Sequence, residues 1–338
     1  MSGWRLAEGG TAIDRSRPLR FTFDGVELTG FAGDTLASAL LANGVDVVAR
    51  SVAHGRPRGI VGAGAEEPNA LVQVDGEPMV AATRVALREG MAASSLAMRG
   101  RLGDGPDDRR CDRMHAHCDV LVVGAGPAGL AAADAAARTG ARVVLASSGA
   151  IPAIGPYDEL RVLAHTTAVG NHDHGLVVLD QGGRRLWHVR ARQIVLATGA
   201  HERLLAFAGN DLPGVMLAGA VRTYLERWGV AAGREAVVLT ATDSGHAAAA
   251  SLGAAGVHVA AVADLRDEAG TVAAVGPGRV QAVTIGERTI ACDLLAVSGG
   301  WSPALALWTQ GQGRVAWDAG LACHVADGAC RTQRVAGA

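Results

Sequence analysis

Residues 118–149, CDVLVVGAGPAGLAAADAAARTGARVVLASSG, decide how the rest of the chain is read. Residues 120–123 are a short apolar run, as a strand buried on both faces should be. Gly124, Ala125, Gly126, Pro127, Ala128 and Gly129 follow at once as GxGxxG, residues 131–137 read as helix and 142–145 as a second strand. Each glycine has a task. Gly124 permits the tight turn, Gly126 lets backbone approach a pyrophosphate, and Gly129 lets helix and strand pack closely. The free N–H groups and positive dipole end of the helix face the phosphates. Strand, glycine turn, helix and second strand in this order predict a dinucleotide or adenine nucleotide site. The alternative is a fold that keeps its glycines for packing alone.

The second strand of such a unit should end in Asp or Glu to bind ribose hydroxyls. Here Ala146, Ser147 and Ser148 stand at that point. A serine offers one hydrogen bond but no paired charged acceptor, a difference of roughly 1–2 kcal/mol in binding.

With 338 residues the chain has room for two or three domains with real cores. Its 49% hydrophobic and 4% aromatic content, with 46 glycines, suits a parallel α/β protein with tight helix–sheet packing. A net charge of −2 gives no electrostatic footprint for nucleic acid, and the few aromatics leave little for base stacking. Residues 1–10 lack the order of a signal peptide. The apolar stretch 245–263 contains His246, Ser251 and His258 and reads as a buried βα unit, not a membrane span. The five cysteines, at 111, 118, 292, 323 and 330, form no CxxC, so neither a zinc site nor a disulfide framework is expected. These features predict a soluble cytoplasmic protein whose partners are small molecules or proteins.

The first part of the chain reads as strand 19–23, a turn at Asp24-Gly25, strand 26–31, helix 35–43 capped by Asp34, and strand 70–74. Hairpin, helix, strand is the order of a β-grasp domain. The segments IDRSRPLRFTFDG (13–25), GDTLASALLANGV (33–45) and RSVAHGRPRGIVGAGAEEPNALVQVDG (50–76) resemble the N-terminal region of the α subunit of heterotetrameric sarcosine oxidase. That region is similar to two-iron ferredoxin domains, whose loop carries Cys-x4-Cys-x2-Cys. Gly62, Glu67 and Ala70 stand at the matching positions here, so no Fe–S cluster is expected. His54, Arg56 and Arg58 read either as an interface or flavin-phosphate contact or as a solvated basic loop.

Further on, residues 159–163 and 163–170 resemble family strands, and Ala168 is the nearest candidate for adenine recognition. Compared with the family, the chain is short between Gly149 and Glu159, which predicts a missing helix and a more open pocket. His172-Asp173-His174 reads as a polar turn, with no metal assigned. Residues 186–189 and 193–197 read as strands leading to ATGAHER (197–203). Thr198 and Gly199 are placed there beside the nucleotide, and His201, Glu202 and Arg203 are read as structural hydrogen-bonding groups. A second βαβ unit follows, with strand 236–240, helix 244–255 and strand 257–263. Its turn, TATDSG (240–245), lacks two of the three glycines, so it predicts a Rossmann-like fold that has lost its ligand, although Asp264 stands where a ribose acid would. Residues 280–285 and 289–296 resemble closing strands, and SGGWSP (298–303) resembles the family's return segment.

The expected fold is α/β with an α+β N-terminal part: a β-grasp ferredoxin-like domain without cluster ligands, then a Rossmann-like module of the pyridine nucleotide-disulfide oxidoreductase kind. The expected domains are 1–98, a linker 99–117, a dinucleotide-binding domain at 118–210 and 296–338, and an inserted domain at 211–295. The resemblance implies an α subunit that binds NAD, lacks the C-terminal folate-binding domain, and works with a flavin-carrying β subunit and smaller subunits. FMN and FAD are then expected in the partner or its interface, and sarcosine is oxidised to glycine with formaldehyde or methylene-folate and hydrogen peroxide. No catalytic residue is singled out, because no nucleophile–base pair or paired carboxylate is legible. Two alternatives remain: a self-contained FAD-dependent NAD(P)H oxidoreductase with FAD at the same glycine turn, and a non-catalytic scaffold.

Overall fold

The computed structural model describes residues 3–96, 110–267 and 270–337. The chain divides into two compact units, one formed by Met1–Pro106 and Glu202–Gly300, the other by Asp107–His201 and Trp301–Ala338.

The first unit begins with strands β1 (Asp14–Phe23) and β2 (Val26–Ala32), joined at Asp24 and Gly25, whose φ values of 50° and 80° make the tight hairpin turn. Helix α1 (Leu36–Ala42) is buried along its whole length. Its cap is Thr35, not Asp34. Ser38 N–H donates to the Thr35 hydroxyl at 3.1 Å while Thr35 N–H donates to Ser38 Oγ at 3.0 Å, a capping box. Asp34 is instead buried, paired with Arg5 at 2.7 Å and accepting from the Ser38 hydroxyl at 2.6 Å. Strands β3 (Leu71–Val74), β4 (Glu77–Ala81) and β5 (Met91–Ser95) complete a sheet of order β2-β1-β5-β3-β4, with β1 and β5 parallel. This is the β-grasp arrangement.

The second unit opens with β6 (Asp112–Val123), α2 (Pro127–Ala137), β7 (Val143–Ala146) and β8 (Leu160–Leu163). Strands β9 (Thr166–His172), β10 (Leu176–Gln181) and β11 (Arg185–Leu196) follow. The sheet order is β8-β7-β6-β11-β10-β9. Residues 112–117, expected as linker, belong to β6 and pair with β11 from Asp112–Arg185 onward. The rest of that linker, 99–109, lies outside the described residues. β11 is one strand where two were expected. Its exposed Arg190 and Arg192 alternate with buried Val189 and Ala191, so the polar residues mark a face and not a break.

The inserted part of the first unit contains β12 (Val215–Leu217), α3 (Ala218–Trp228), β13 (Glu235–Thr240), α4 (Asp243–Ala254) and β14 (His258–Asp264). A meander of β15 (Val272–Val275), β16 (Ala282–Ile285) and β17 (Arg288–Ala291) precedes β18 (Leu294–Ser298). The parallel sheet runs β12-β18-β13-β14, a second Rossmann-like layer. The single strand expected at 289–296 is thus two strands in different sheets. They part at Asp293, whose carboxylate accepts the N–H groups of Arg234 and Glu235 at 2.8 and 2.9 Å. One core joins this insert to the β-grasp part, with Phe21, Leu36 and Leu40 packed in the same cluster as Val221, Tyr224 and Trp228.

In the second unit the chain ends with α5 (Ala306–Gln310), hairpin strands β19 (Arg314–Asp318) and β20 (Cys323–Asp327), and β21 (Gln333–Val335), which pairs with β11. No helix among the described residues is long and apolar enough to cross a membrane.

Candidate functional site: a glycine-lined cavity

The turn after β6 shows why its glycines are glycines. Gly124 has φ 106°, and a Cβ there would lie 2.1 Å from the Ala197 carbonyl oxygen. A Cβ on Gly129 would lie 1.9 Å from the Gly124 oxygen, so only glycine lets α2 lie against the strand ends. Gly126 differs, because a Cβ there would meet nothing within 4 Å. The space in front of it is open. Gly126 is also the N-cap of α2, Pro127 occupies the first turn, and no side chain caps the helix. The helix therefore presents its N–H groups and positive end to that space.

A cavity of about 350 Å³ opens there. It is lined by Gly124, Ala125, Gly126, Ser147, Ser148, Ala168, Thr198 and Gly199, all expected from the sequence as nucleotide contacts. Pro127, Ala128 and Gly129 form the first turn of α2 and do not line it. Thr166, Thr167, Ala197 and Leu307 also line it. The two threonines precede Ala168 on β9 and are legible from that strand, whereas Leu307 arrives on α5 from far along the chain, with no local signal. Thr198 is held by its hydroxyl, which donates to the Ala304 carbonyl at 2.9 Å. The connection from β7 to β8, residues 147–159, contains no helix, and Ser148 and Gly149 are exposed. The described lining offers hydroxyls and backbone but no ionisable side chain.

The second turn, after β13, keeps one feature and loses the others. A Cβ on Gly245 would lie 2.3 Å from the Thr240 side chain, so this glycine retains the close-packing task. Thr240 and Thr242 replace the other two, and the turn closes on itself. Thr240 Oγ1 donates to the Thr242 carbonyl at 2.6 Å, and hydroxyls link Thr242 to Ser244 at 2.7 Å and Ser244 to Ser298 at 2.8 Å. Asp243 places a negative charge in the first turn of α4, where it would repel a phosphate. Asp264, at the ribose position, is taken by Arg266 Nη2 at 2.6 Å and His246 Nε2 at 2.9 Å. These hydrogen bonds, Arg266 first and His246 second, hold its carboxyl well below the usual carboxylate range.

The segment 201–203 is tied down by hydrogen bonds. Glu202 Oε2 accepts Gly219 N–H at 2.7 Å, at the start of α3, and burial pushes its carboxyl up. Arg203 Nε donates to the Gly299 carbonyl at 3.1 Å. His201 is exposed. Arg56 and Arg58, which read from the sequence as an interface or flavin-phosphate contact or as a solvated loop, both pair with Asp211, Arg56 at 2.8 Å. His172-Asp173-His174 falls at a short 3-10 turn with His174 at φ 59°, and among the described residues no group of three or more His, Cys, Asp or Glu is placed to hold a metal.

This is a β-grasp domain followed by two Rossmann-like layers, the first of which carries an open glycine turn. Its fold matches that of L-proline dehydrogenase from P. horikoshii with a TM-score of 0.83, at 22% identity, over 100% of this chain and 71% of that one. Residues 16–97 match the family described as a 2Fe-2S iron-sulfur cluster binding domain. Over 96% of its length the chain is 39% identical to sarcosine oxidase subunit alpha of Corynebacterium sp. (strain P-1), and over its whole length 39% identical to that of Rhizobium meliloti (strain 1021). It belongs to the sarcosine oxidase α-subunit family, and spans 42% and 45% of the length of these two relatives. The first alignment runs over 403 positions, so at least 65 of them have no residue among the 338 here.

The 2Fe-2S match does not extend to the ligands. No cysteine lies between residues 16 and 97, and the loop carries Gly62, Glu67 and Ala70 at the x4, x2 spacing. The residues present do not fit a cluster.

Proposed function

We propose that this chain is the nucleotide-binding part of a sarcosine oxidase-type α subunit, holding NAD in the cavity at Gly124–Gly126 and acting in complex with a flavin-carrying subunit. The observation that carries the reading is the pairing of an uncapped α2 N-terminus with open space at Gly126. The helix end would hold the pyrophosphate, Ser147 and Ser148 the adenine ribose, and the β9 backbone at Ala168 the adenine. NAD supplies nicotinamide chemistry when it turns over. In this reading it is a resident group, because the lining contains no acid or base to move a proton. The oxidation of a secondary amine such as sarcosine, with electrons passed through FAD and FMN to oxygen, belongs to the partner and its interface with this chain.

The test is to purify the chain, record its visible spectrum, denature it and identify the released nucleotide. About one NAD per chain without flavin absorbance supports the reading. FAD would favour the self-contained NAD(P)H oxidoreductase, and an empty protein the scaffold. Addition of a flavin-carrying subunit should then give sarcosine-dependent peroxide.

A further inference from the structure

The loop at 61–70 has its own anion. Val61 and Gly62 donate their backbone N–H groups to Glu67 Oε2, Val61 at 2.7 Å. Asn69 and Ala70 donate theirs to Oε1 at 2.7 and 3.0 Å. Glu67 is 7% exposed. Gly62, Glu67 and Ala70 are the positions with cluster-ligand spacing, so the amides of the first and third point at a carboxylate carried by the second. Each oxygen accepts two amide protons, a pattern that an ionised carboxylate satisfies and a carboxylic acid, with a proton on one oxygen, does not. Burial pushes the Glu67 carboxyl up, and the four amide bonds offset part of that.

We propose that the Glu67 carboxylate is a built-in anion at the centre of this loop, standing where a cluster-binding domain would hold its iron and sulfide, and that the loop so shaped serves as a joint to the inserted domain. The loop's peptide units face both ways. The unit whose Gly62 N–H turns inward to Glu67 accepts Leu217 N–H at its Val61 carbonyl at 2.9 Å, and the next unit, whose Ala63 N–H goes to Glu66, accepts the Tyr224 hydroxyl at its Gly62 carbonyl at 3.0 Å. Tyr224 is fully buried on α3. An amide whose N–H is bound to a charge is a better acceptor at its carbonyl, so Glu67 strengthens the bond from Leu217 to Val61, and Glu66, through Ala63 N–H, the bond from Tyr224 to Gly62. Neighbouring Glu66 does similar work further out, accepting Ala63 and Gly64 N–H at 3.0 and 2.9 Å.

Removing the side chain would leave four inward amides around a hole of carboxylate size, which a small carboxylate could refill. The experiment compares Glu67→Ala and Glu67→Gln with the parent in the full chain, each with sodium formate or with sodium chloride at equal ionic strength. Glu67→Ala should melt about 5–10 °C lower, Glu67→Gln by less. Formate should restore the alanine variant and leave the parent and a Tyr224→Phe control unmoved. An alanine variant that folds only with formate present also supports the proposal. It is overturned if Glu67→Ala melts with the parent, or if formate helps that variant no more than chloride does.

Discussion

The two βαβ turns of this chain, 124–129 and 240–245, share a fold and differ in what fills the space beneath the helix. Both keep the last glycine, for the same reason: a Cβ would overlap the preceding strand end, 1.9 Å from the Gly124 oxygen in one and 2.3 Å from the Thr240 side chain in the other. They part at the middle position. Gly126 faces open space, whereas the Thr242 hydroxyl is bonded to Ser244. The helix ends differ in charge as well. The first turn of α2 has no acidic residue and that of α4 has Asp243. Close packing of helix on sheet is therefore a property of the fold, and open space at the helix N-terminus is a separate property, the one on which the proposed nucleotide site rests.

The largest effects should come from the shared feature. Gly129→Ala and Gly245→Ala should each cost about 3 kcal/mol or more in chemical denaturation, because backbone or a strand side chain must move. Near-neutral values for both would show that the packing relaxes and that the glycines are not there for it.

Next, Gly126→Val should leave stability nearly unchanged and lower the nucleotide that copurifies by more than tenfold, about 1.4 kcal/mol or more of binding. A variant that keeps its nucleotide would move the site elsewhere. Thr242→Gly tests the converse. It should cost about 1–2 kcal/mol, for the hydroxyl's hydrogen bonds to Ser244 and Ser298, and recruit no nucleotide. If it did recruit one, the hydroxyl alone would have been what closed the second turn.

The smallest effect concerns acid. Arg266 and His246 hold the Asp264 carboxyl below its ordinary value, so its contribution is fully present above about pH 4 and is lost as pH falls toward its folded pKa. Arg266 is half exposed, and solvent screens the pair. Asp264→Asn should flatten the decline in stability measured by denaturant titration between about pH 4 and pH 2. A decline as steep as the parent's would place the acid sensitivity elsewhere.

Much of the candidate site was legible because its chemistry is backbone chemistry. Glycine spacing, a flanking apolar run and helical periodicity are local properties, and they placed Gly124, Gly126 and Ser147 around one cavity without knowledge of the fold. The misreadings came where partners are distant. Arg58 reads from the sequence as an interface or flavin-phosphate contact or as part of a solvated loop, and the acid it pairs with, Asp211, lies 153 residues away. The break at Asp293 was invisible because the amides it caps belong to Arg234 and Glu235. Thr35 is the cap, and the Asp34 carboxylate goes instead to Arg5, 29 residues earlier, and to the Ser38 hydroxyl.

By itself the sequence determined the order of elements, the absence of thiolates in the β-grasp loop, and which of the two turns is rich in glycine, since each depends on residue type at short spacing. Only the tertiary structure decided what stands in place of the missing ligands. Whether a carboxylate is solvated or surrounded by four amides depends on how the loop closes, and the closed loop is bonded to Tyr224, 162 residues from the glycine whose carbonyl it binds.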